Sequence, residues 1–131
     1  MAVLPTWQVR FSRWRAGDAP EVLEFRCDAL VVGRKDCDVT LRGPSVSRHH
    51  CELSVDGRGR LQVLDHGSTN GTWVNGDRLG PARPRVVRVG DELRIGDWRL
   101  ALEAPPERVE AVMARSEQLE AMRDRAAGLR D

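Results

Sequence analysis

Hydrophobic and polar residues alternate in short runs from Thr6 to Leu102, and Gly, Pro, Asn or Asp interrupts these runs every few residues. A period of two is typical of strands that bury one face, and frequent turn residues are typical of sandwiches with short connections. The clearest alternating positions are Val9, Phe11, Cys51, Leu53, Leu93, Ile95, Leu100 and Leu102. The pattern predicts an all-β fold of two sheets, with little room for helices.

The pattern changes at Ala104-Pro105-Pro106, because a proline cannot donate to a β-ladder. We therefore predict a sandwich over residues 1–103, a linker over 104–106 and a charged tail over 107–131. The tail is rich in Ala, Glu, Arg, Met and Leu, which favour a helix. Its apolar stripe is weak, so a solvated helix is expected, and a helix for docking or weak self-association is the alternative.

Charge and cysteine content narrow the functional classes. The 21 basic and 20 acidic residues leave a net charge of +1, so no general field attracts the chain to nucleic acid or anionic lipid. Cys27, Cys37 and Cys51 match neither a disulfide framework nor a zinc site. No apolar run approaches the length of a membrane span. We expect a cytoplasmic protein with no bound metal or cofactor.

Four polar motifs stand between Val32 and Gly76, each where an alternating run stops. They are Gly33-Arg34, Ser47-Arg48-His49-His50, Asp65-His66-Gly67-Ser68-Thr69-Asn70-Gly71 and Asn75-Gly76. Residues at strand ends are carried on loops, and Arg, Ser and Asn side chains donate hydrogen bonds to anions. Both Asn-Gly pairs are also strong signals for hairpin turns. The motifs together predict a site that binds an anionic group.

These motifs resemble the motif set of the forkhead-associated (FHA) domain family, in the same order and at the same spacings over about residues 6–103. The resemblance implies an FHA/SMAD-like β-sandwich of roughly eleven short strands. It further implies a non-catalytic module that binds phosphothreonine in partner proteins of Ser/Thr kinase signalling. Nucleic acid and membranes are not expected as partners.

The resemblance also assigns roles to individual residues. It implies that phosphate or peptide is bound by Arg34, Ser47, Arg48, Thr69 and Asn70. The resemblance treats His50 as a scaffold residue, and Asp65 at a strand end is expected to cap the N–H groups of its loop. The full set expected to support the site structurally is Gly33, His50, Asp65, Ser68, Gly71, Asn75 and Gly76. The partner, its kinase and the residues preferred beside the phosphothreonine are not specified by the sequence.

Three alternatives remain open. Ser47, His50 and Asp65 are the residue types of a hydrolytic triad, although no Gly-x-Ser-x-Gly elbow accompanies them. The basic residues and four tryptophans allow a weak nucleic-acid binder, although we expect the tryptophans to pack in the core. A scaffold or oligomerisation domain that keeps the fold but does not use the pocket is the third alternative.

Overall fold

The alternating runs form two β-sheets in a computed structural model of the chain, which describes residues 3–112. Twelve strands lie within those residues. They are β1 (Val3–Arg15), β2 (Glu21–Cys27), β3 (Ala29–Gly33), β4 (Val39–Thr40), β5 (Cys51–Val55), β6 (Leu61–Asp65), β7 (Thr72–Val74), β8 (Asp77–Arg78), β9 (Arg85–Val87), β10 (Glu92–Ile95), β11 (Trp98–Leu102) and β12 (Glu107–Val112). The all-β, two-sheet prediction is confirmed.

One sheet has seven strands and the other has five. The seven-stranded sheet follows the order β12-β1-β11-β10-β7-β8, and β2 also pairs with β1. The five-stranded sheet follows the order β4-β3-β5-β6-β9. The short β4 runs parallel to β3, whereas β3, β5, β6 and β9 are joined by antiparallel pairing. The chain thus changes sheets between β6 and β7.

The core is built from the inward positions of both sheets. In the seven-stranded sheet, β10 buries Leu93 and Ile95 and leaves Arg94 exposed between them. The same alternation buries Val9, Phe11, Leu30, Val32, Leu53, Leu61, Val63, Leu100 and Leu102 in one hydrophobic cluster. Full burial of such a side chain contributes roughly 1.5–3 kcal/mol. The cluster therefore supplies the rigid support on which the loops are held.

The tryptophans do not all follow the expectation that they pack in the core. Trp7 and Trp98 are half-buried against the hydrophobic cluster. Trp73 instead lies between Thr72 and Val74, which are both fully buried, so its ring is on the opposite face of the sheet. The core assignment of Trp73 was wrong, because its inward neighbours already occupy the buried face of β7.

The two Asn-Gly pairs take different conformations. Asn75 and Gly76 have φ values of 50° and 86° and connect the antiparallel strands β7 and β8, as a two-residue hairpin requires. Asn70 and Gly71 lie between β6 and β7, which belong to different sheets. The hairpin prediction is confirmed for Asn75-Gly76. It was wrong for Asn70-Gly71, since the chain crosses there from one sheet to the other.

The beginning of the tail is a strand rather than a helix. Glu107–Val112 forms β12, which pairs with β1. The expected helix therefore does not begin at Glu107, because pairing with a neighbouring strand outweighs local helix propensity. The remainder of the predicted tail, residues 113–131, lies outside the described residues. Residues 104–106 separate β11 from β12, and their role as a domain linker stays a prediction.

Residue contacts divide the chain into two units. One unit is Trp7–Glu107 and contains the core and the loops with the polar motifs. The other includes residues 3–6 and 108–112 of those that the structure describes. In the part of the chain that the structure covers, no helix could span a bilayer.

Candidate functional site

Three loops of the Trp7–Glu107 unit meet around one concavity of about 310 Å³. The loops follow β3, precede β5 and connect β6 to β7. The concavity is lined by Arg34, Pro44, Ser45, Val46, Ser47, Arg48, Thr69 and Asn70. The five residues predicted to contact a ligand thus share one opening, although their roles in binding stay a prediction.

Gly33 allows the end of β3 to lie directly against the loop that precedes β5. A Cβ atom on Gly33 would overlap the Arg48 carbonyl oxygen, a contact that no real side chain tolerates. The N–H of Arg34 donates to the carbonyl oxygens of Ser47 at 2.9 Å and Arg48 at 3.1 Å. The backbones of two candidate phosphate-binding segments are therefore hydrogen-bonded to each other.

The guanidinium of Arg34 is held in place within the concavity. Its Nη1 donates to the carbonyl oxygen of Val46 at 3.0 Å. An arginine has five N–H donors in a fixed plane, so this single bond orients the group and leaves most of its donors for a ligand. Sequence reasoning did not identify Val46, because a backbone carbonyl leaves no signal in residue type.

His50 bridges two of the loops from beneath. Its side chain is fully buried, and Nδ1 accepts a hydrogen bond from the Ser47 N–H at 3.0 Å. Nε2 therefore carries the proton and donates to the carbonyl oxygen of Gly71 at 2.9 Å. Burial lowers the pKa of His50 and outweighs the opposing effects of Gly71 and Asp65, so the neutral ring is favoured.

Ser47 connects the same loops through its hydroxyl group. Its Oγ accepts a hydrogen bond from the backbone N–H of Thr69 at 3.1 Å. Because that bond uses a lone pair, the hydroxyl proton is left to donate to a ligand. Ser47 is thus fixed both through its backbone, by His50, and through its side chain.

The loop that carries Thr69 and Asn70 is shaped by Asp65. The Asp65 carboxylate accepts hydrogen bonds from Ser68 N at 2.9 Å, Ser68 Oγ at 2.6 Å and Thr72 Oγ1 at 2.6 Å. Ser68 Oγ in turn accepts from the N–H of Gly71 at 2.9 Å. Burial acts to raise the pKa of Asp65, but these hydrogen bonds outweigh it and the pKa is lowered. Asp65 is therefore a charged cap of this loop.

Asn70 is exposed at the rim of the concavity and is hydrogen-bonded to Ser45 and Trp73. Its side-chain Nδ2 donates to the Ser45 carbonyl oxygen at 3.1 Å. The backbone carbonyl oxygen of Asn70 accepts from Trp73 Nε1 at 3.2 Å. Trp73 is a second residue that sequence reasoning missed. The signal was available, since a tryptophan between two inward residues of a strand must face outward.

Asn75 and Gly76, predicted as support for the site, lie in the β7–β8 hairpin and do not line the concavity. Asn75 Nδ2 donates to Asp91 Oδ1 at 2.9 Å, and Asn75 Oδ1 accepts from the N–H of Glu92 at 2.9 Å. These bonds fasten the hairpin to the segment that begins β10. Any effect of this pair on the concavity is therefore indirect.

The arrangement does not resemble a hydrolytic triad. Both ring nitrogens of His50 are engaged by backbone groups, so neither can take the proton of Ser47 Oγ. Asp65 is bonded to Ser68 and Thr72 and does not orient the imidazole. Among the side chains of residues 6–109, no cluster of three His, Cys, Asp or Glu is placed to hold a metal ion.

Comparison with known proteins finds relatives that share this region. The FHA domain-containing protein PS1 of Arabidopsis thaliana is 46% identical over 71 residues, covering 53% of this chain and 5% of PS1. The glycogen accumulation regulator GarA of Mycolicibacterium smegmatis is 42% identical over 71 residues, covering 54% of this chain and 42% of GarA. The match therefore spans less than half the length of either relative.

Among solved structures, Mycobacterium tuberculosis EmbR in complex with a low affinity phosphopeptide matches with a TM-score of 0.60 and 25% identity. The match covers 74% of this chain and 25% of EmbR. The family model of the FHA domain matches residues 30–96, slightly more than half of the chain. That range contains every residue from Gly33 to Gly76 that the motifs single out, and the chain belongs to the FHA domain family.

Proposed function

We propose that this FHA domain is a non-catalytic module that binds phosphothreonine in a partner protein modified by a Ser/Thr kinase. The observation that carries the proposal is that Arg34, Ser47, Arg48, Thr69 and Asn70, from three loops, line one opening. The similar EmbR structure, which is a complex with a phosphopeptide, supports the proposal.

The donors of the opening suit a phosphate group. A phosphothreonine carries a charge of about −1.5 to −2 at pH 7 and three strong acceptor oxygens. Arg34 supplies a planar guanidinium, Ser47 a hydroxyl proton, and Arg48 a second cation at the same concavity. A hydrogen bond to a charged partner contributes about 1.5–3 kcal/mol, so two or three of them are enough for roughly micromolar affinity.

The donors are positioned before a ligand arrives. Arg34 is held by Val46, and Ser47 is held by both His50 and Thr69. Ordering a long side chain on binding costs about 0.5–1.5 kcal/mol, and prior positioning removes part of that cost. The proposed site is therefore a preformed receptor for phosphate rather than a flexible basic surface.

Asn70 is suited to the peptide backbone beside the phosphate. One of its amide protons is used on Ser45, which leaves the other proton and the side-chain oxygen for a backbone N–H or C=O of the ligand. A buried threonine γ-methyl would add roughly 0.8 kcal/mol over serine. We therefore expect a several-fold preference for phosphothreonine over phosphoserine.

A cytoplasmic, non-catalytic role is consistent with the chemistry of the chain. Cys27, Cys37 and Cys51 are free thiols, as is usual in a reducing compartment. The only catalytic constellation suggested by the sequence has its histidine occupied on both nitrogens. We assign the domain to recognition of a modified partner, without chemical change of the ligand.

Calorimetry with one peptide in phosphorylated and unphosphorylated forms tests the proposal. We expect measurable binding of the phosphothreonine form alone, reduced at least tenfold by Arg34→Ala or Ser47→Ala. Arg26→Ala is the matched control, because Arg26 is exposed on β2, away from the residues that line the concavity. Equal affinity of the wild type for both peptide forms would refute phosphate-dependent binding.

A further inference from the structure

We infer that Arg78, Trp73 and Arg94 form a second contact surface, which binds acidic residues flanking the phosphothreonine of the same ligand. We call these three residues the Trp73 patch. The inference rests on the proposed phosphothreonine site, and it specifies the class of segment that the site prefers.

The Trp73 patch is a row of side chains across three neighbouring strands. Trp73 of β7 pairs in register with Arg78 of β8 on one side and with Arg94 of β10 on the other. Residues opposite each other in an antiparallel pair project from the same face. The inward neighbours of Arg94, Leu93 and Ile95, are buried, so the row lies on the outer face of the seven-stranded sheet.

The tryptophan ring organises the two arginines. The guanidinium carbon of Arg94 lies 4.5 Å from the centroid of the Trp73 ring, and that of Arg78 lies 5.9 Å away. Attraction between a cation and an aromatic face holds a guanidinium in place while its N–H edges stay free. Both arginines are exposed, so those edges are accessible to a carboxylate.

The two arginines of the Trp73 patch form no ion pair with the described side chains of the chain. Among the side chains that the structure describes, those of residues 6–109, no carboxylate oxygen lies within the 4.0 Å of an ion pair from Arg78 or Arg94. The next arginine along the row, Arg99, is by contrast bound to Glu92 at 3.0 Å. Two oriented cations therefore lack an acidic partner within the described residues.

The Trp73 patch adjoins the candidate phosphate site. Trp73 Nε1 donates to the carbonyl oxygen of Asn70, which lies at the rim of the concavity. Arg78 lies against the next residue, since a Cβ on Gly71 would be 2.6 Å from Arg78 Nε. A ligand that pairs its backbone with Asn70 thus has the patch beside it.

The reach of a peptide fits this separation. In the protein chain, the three residue steps from Asn70 to Trp73 span at most about 10 Å. The spacing between neighbouring strands adds about 5 Å from Trp73 to Arg94. A bound segment therefore meets the patch within about five residues of its phosphothreonine. The favoured occupant is a segment with Asp or Glu in that interval.

A peptide carboxylate fits the patch better than nucleic acid does. Nucleic-acid binding proteins use an excess of basic residues to neutralise many phosphates. With 21 basic and 20 acidic residues, this chain has no such excess of positive charge. Two arginines around one half-buried tryptophan match one or two carboxylates. Each exposed charge pair contributes a modest increase, about two- to fivefold in affinity.

The test compares two phosphothreonine peptides by calorimetry on the full chain, one with neutral flanks and one with four Glu residues on each side. We expect the acidic peptide to bind the wild type about fivefold more tightly. Arg78→Gln with Arg94→Gln should abolish this preference and leave the affinity for the neutral peptide unchanged. Arg26→Gln, which removes one charge from β2 of the same sheet, should preserve the preference.

The possible failures are distinguishable. Equal wild-type affinity for both phosphopeptides, or a preference that survives the double variant, would overturn the inference and leave the phosphothreonine site intact. Binding of neither phosphopeptide would refute the proposed function itself. A single-stranded oligonucleotide that binds more tightly than the acidic phosphopeptide, and loses binding in the double variant, would show that the patch takes nucleic acid instead.

Discussion

Replacement of His50 by phenylalanine tests the structural basis of the site most sharply. Phenylalanine keeps a planar ring of similar size at this fully buried position but has no hydrogen-bonding atoms. The substitution removes the acceptor for the Ser47 N–H and the donor for the Gly71 carbonyl oxygen. Both loops that His50 joins therefore lose their connection, while the volume of the core changes little.

The expected cost follows from the two groups left without a partner. A buried polar group without a hydrogen bond costs about 1–3 kcal/mol. Gly71 is buried and bears the full cost, whereas Ser47 is half-buried and water can partly replace the lost bond. We expect His50→Phe to lower the free energy of unfolding by about 2–4 kcal/mol. Phosphopeptide affinity should fall at least tenfold under conditions where the variant is still folded.

The pH dependence of unfolding gives an independent signature. The pKa of His50 is lowered in the folded state, chiefly by burial, from an unfolded value near 6.5. As pH falls below that value, His50 is protonated in the unfolded state but stays neutral in the folded state, so the free energy of unfolding decreases. The slope approaches about 1.4 kcal/mol per pH unit until the lowered folded pKa is reached. Above the unfolded pKa the contribution of His50 is fully present.

Urea denaturation from pH 5 to 8 measures both effects, with His49→Phe as the matched control at an exposed neighbouring position. The wild type and the control should lose stability below pH 6.5, and His50→Phe should lack that component. A His50→Phe variant with wild-type stability and a wild-type pH profile would show that this histidine does not bridge the loops, and the account of a preformed site would fail.

Three further predictions concern the supports of the site and the core. Gly33→Ala should lower the free energy of unfolding by at least about 2 kcal/mol and impair phosphopeptide binding, because its Cβ would meet the Arg48 carbonyl. The control Gly57→Ala, which has open space around it, should melt like the wild type. If both alanine variants melt alike, the close approach at Gly33 is not real. Asp65→Asn should lower the free energy of unfolding in urea by about 1–3 kcal/mol, since a neutral amide replaces a carboxylate that accepts three hydrogen bonds; an unchanged midpoint would contradict its role as a cap. Burial raises the pKa of the Cys51 thiol, so a thiol reagent should label Cys51 only as fast as the protein unfolds, and rapid labelling of the native protein would be inconsistent with the core described here.

Much of the fold was predictable because the alternation of apolar and polar residues in the sequence corresponds directly to the inward and outward faces of the strands. The inward positions of β10 and β11 could be assigned from their spacing, since a strand that covers a core must bury every second residue. The strand at Glu107–Val112 could not, because its residues favour a helix locally and its strand conformation depends on pairing with β1. Local sequence carries no record of such a partner.

Five of the residues that line the concavity were predictable from the sequence, but the hydrogen bonds that connect them were not. The polar motifs indicated an anion site, but only the resemblance to a family gave Arg34, Ser47 and Asn70 individual roles at one phosphothreonine, because the sequence alone does not show which strand ends meet. The carbonyl of Val46 that holds Arg34, and the carbonyl of Gly71 that holds His50, are backbone groups that any residue would supply. Such contacts become visible only in three dimensions.

The central claim is that Arg34, Ser47 and Arg48 bind the phosphate group of a phosphothreonine, and that Asn70 pairs with the peptide backbone beside it. The most direct measurement is an NMR titration of the isotope-labelled chain with a phosphothreonine peptide, following each backbone and arginine side-chain N–H. The account predicts that the largest shifts occur at these four residues and that the unphosphorylated peptide causes none there. Largest shifts on β2 or β9, with the loops unaffected, would contradict it.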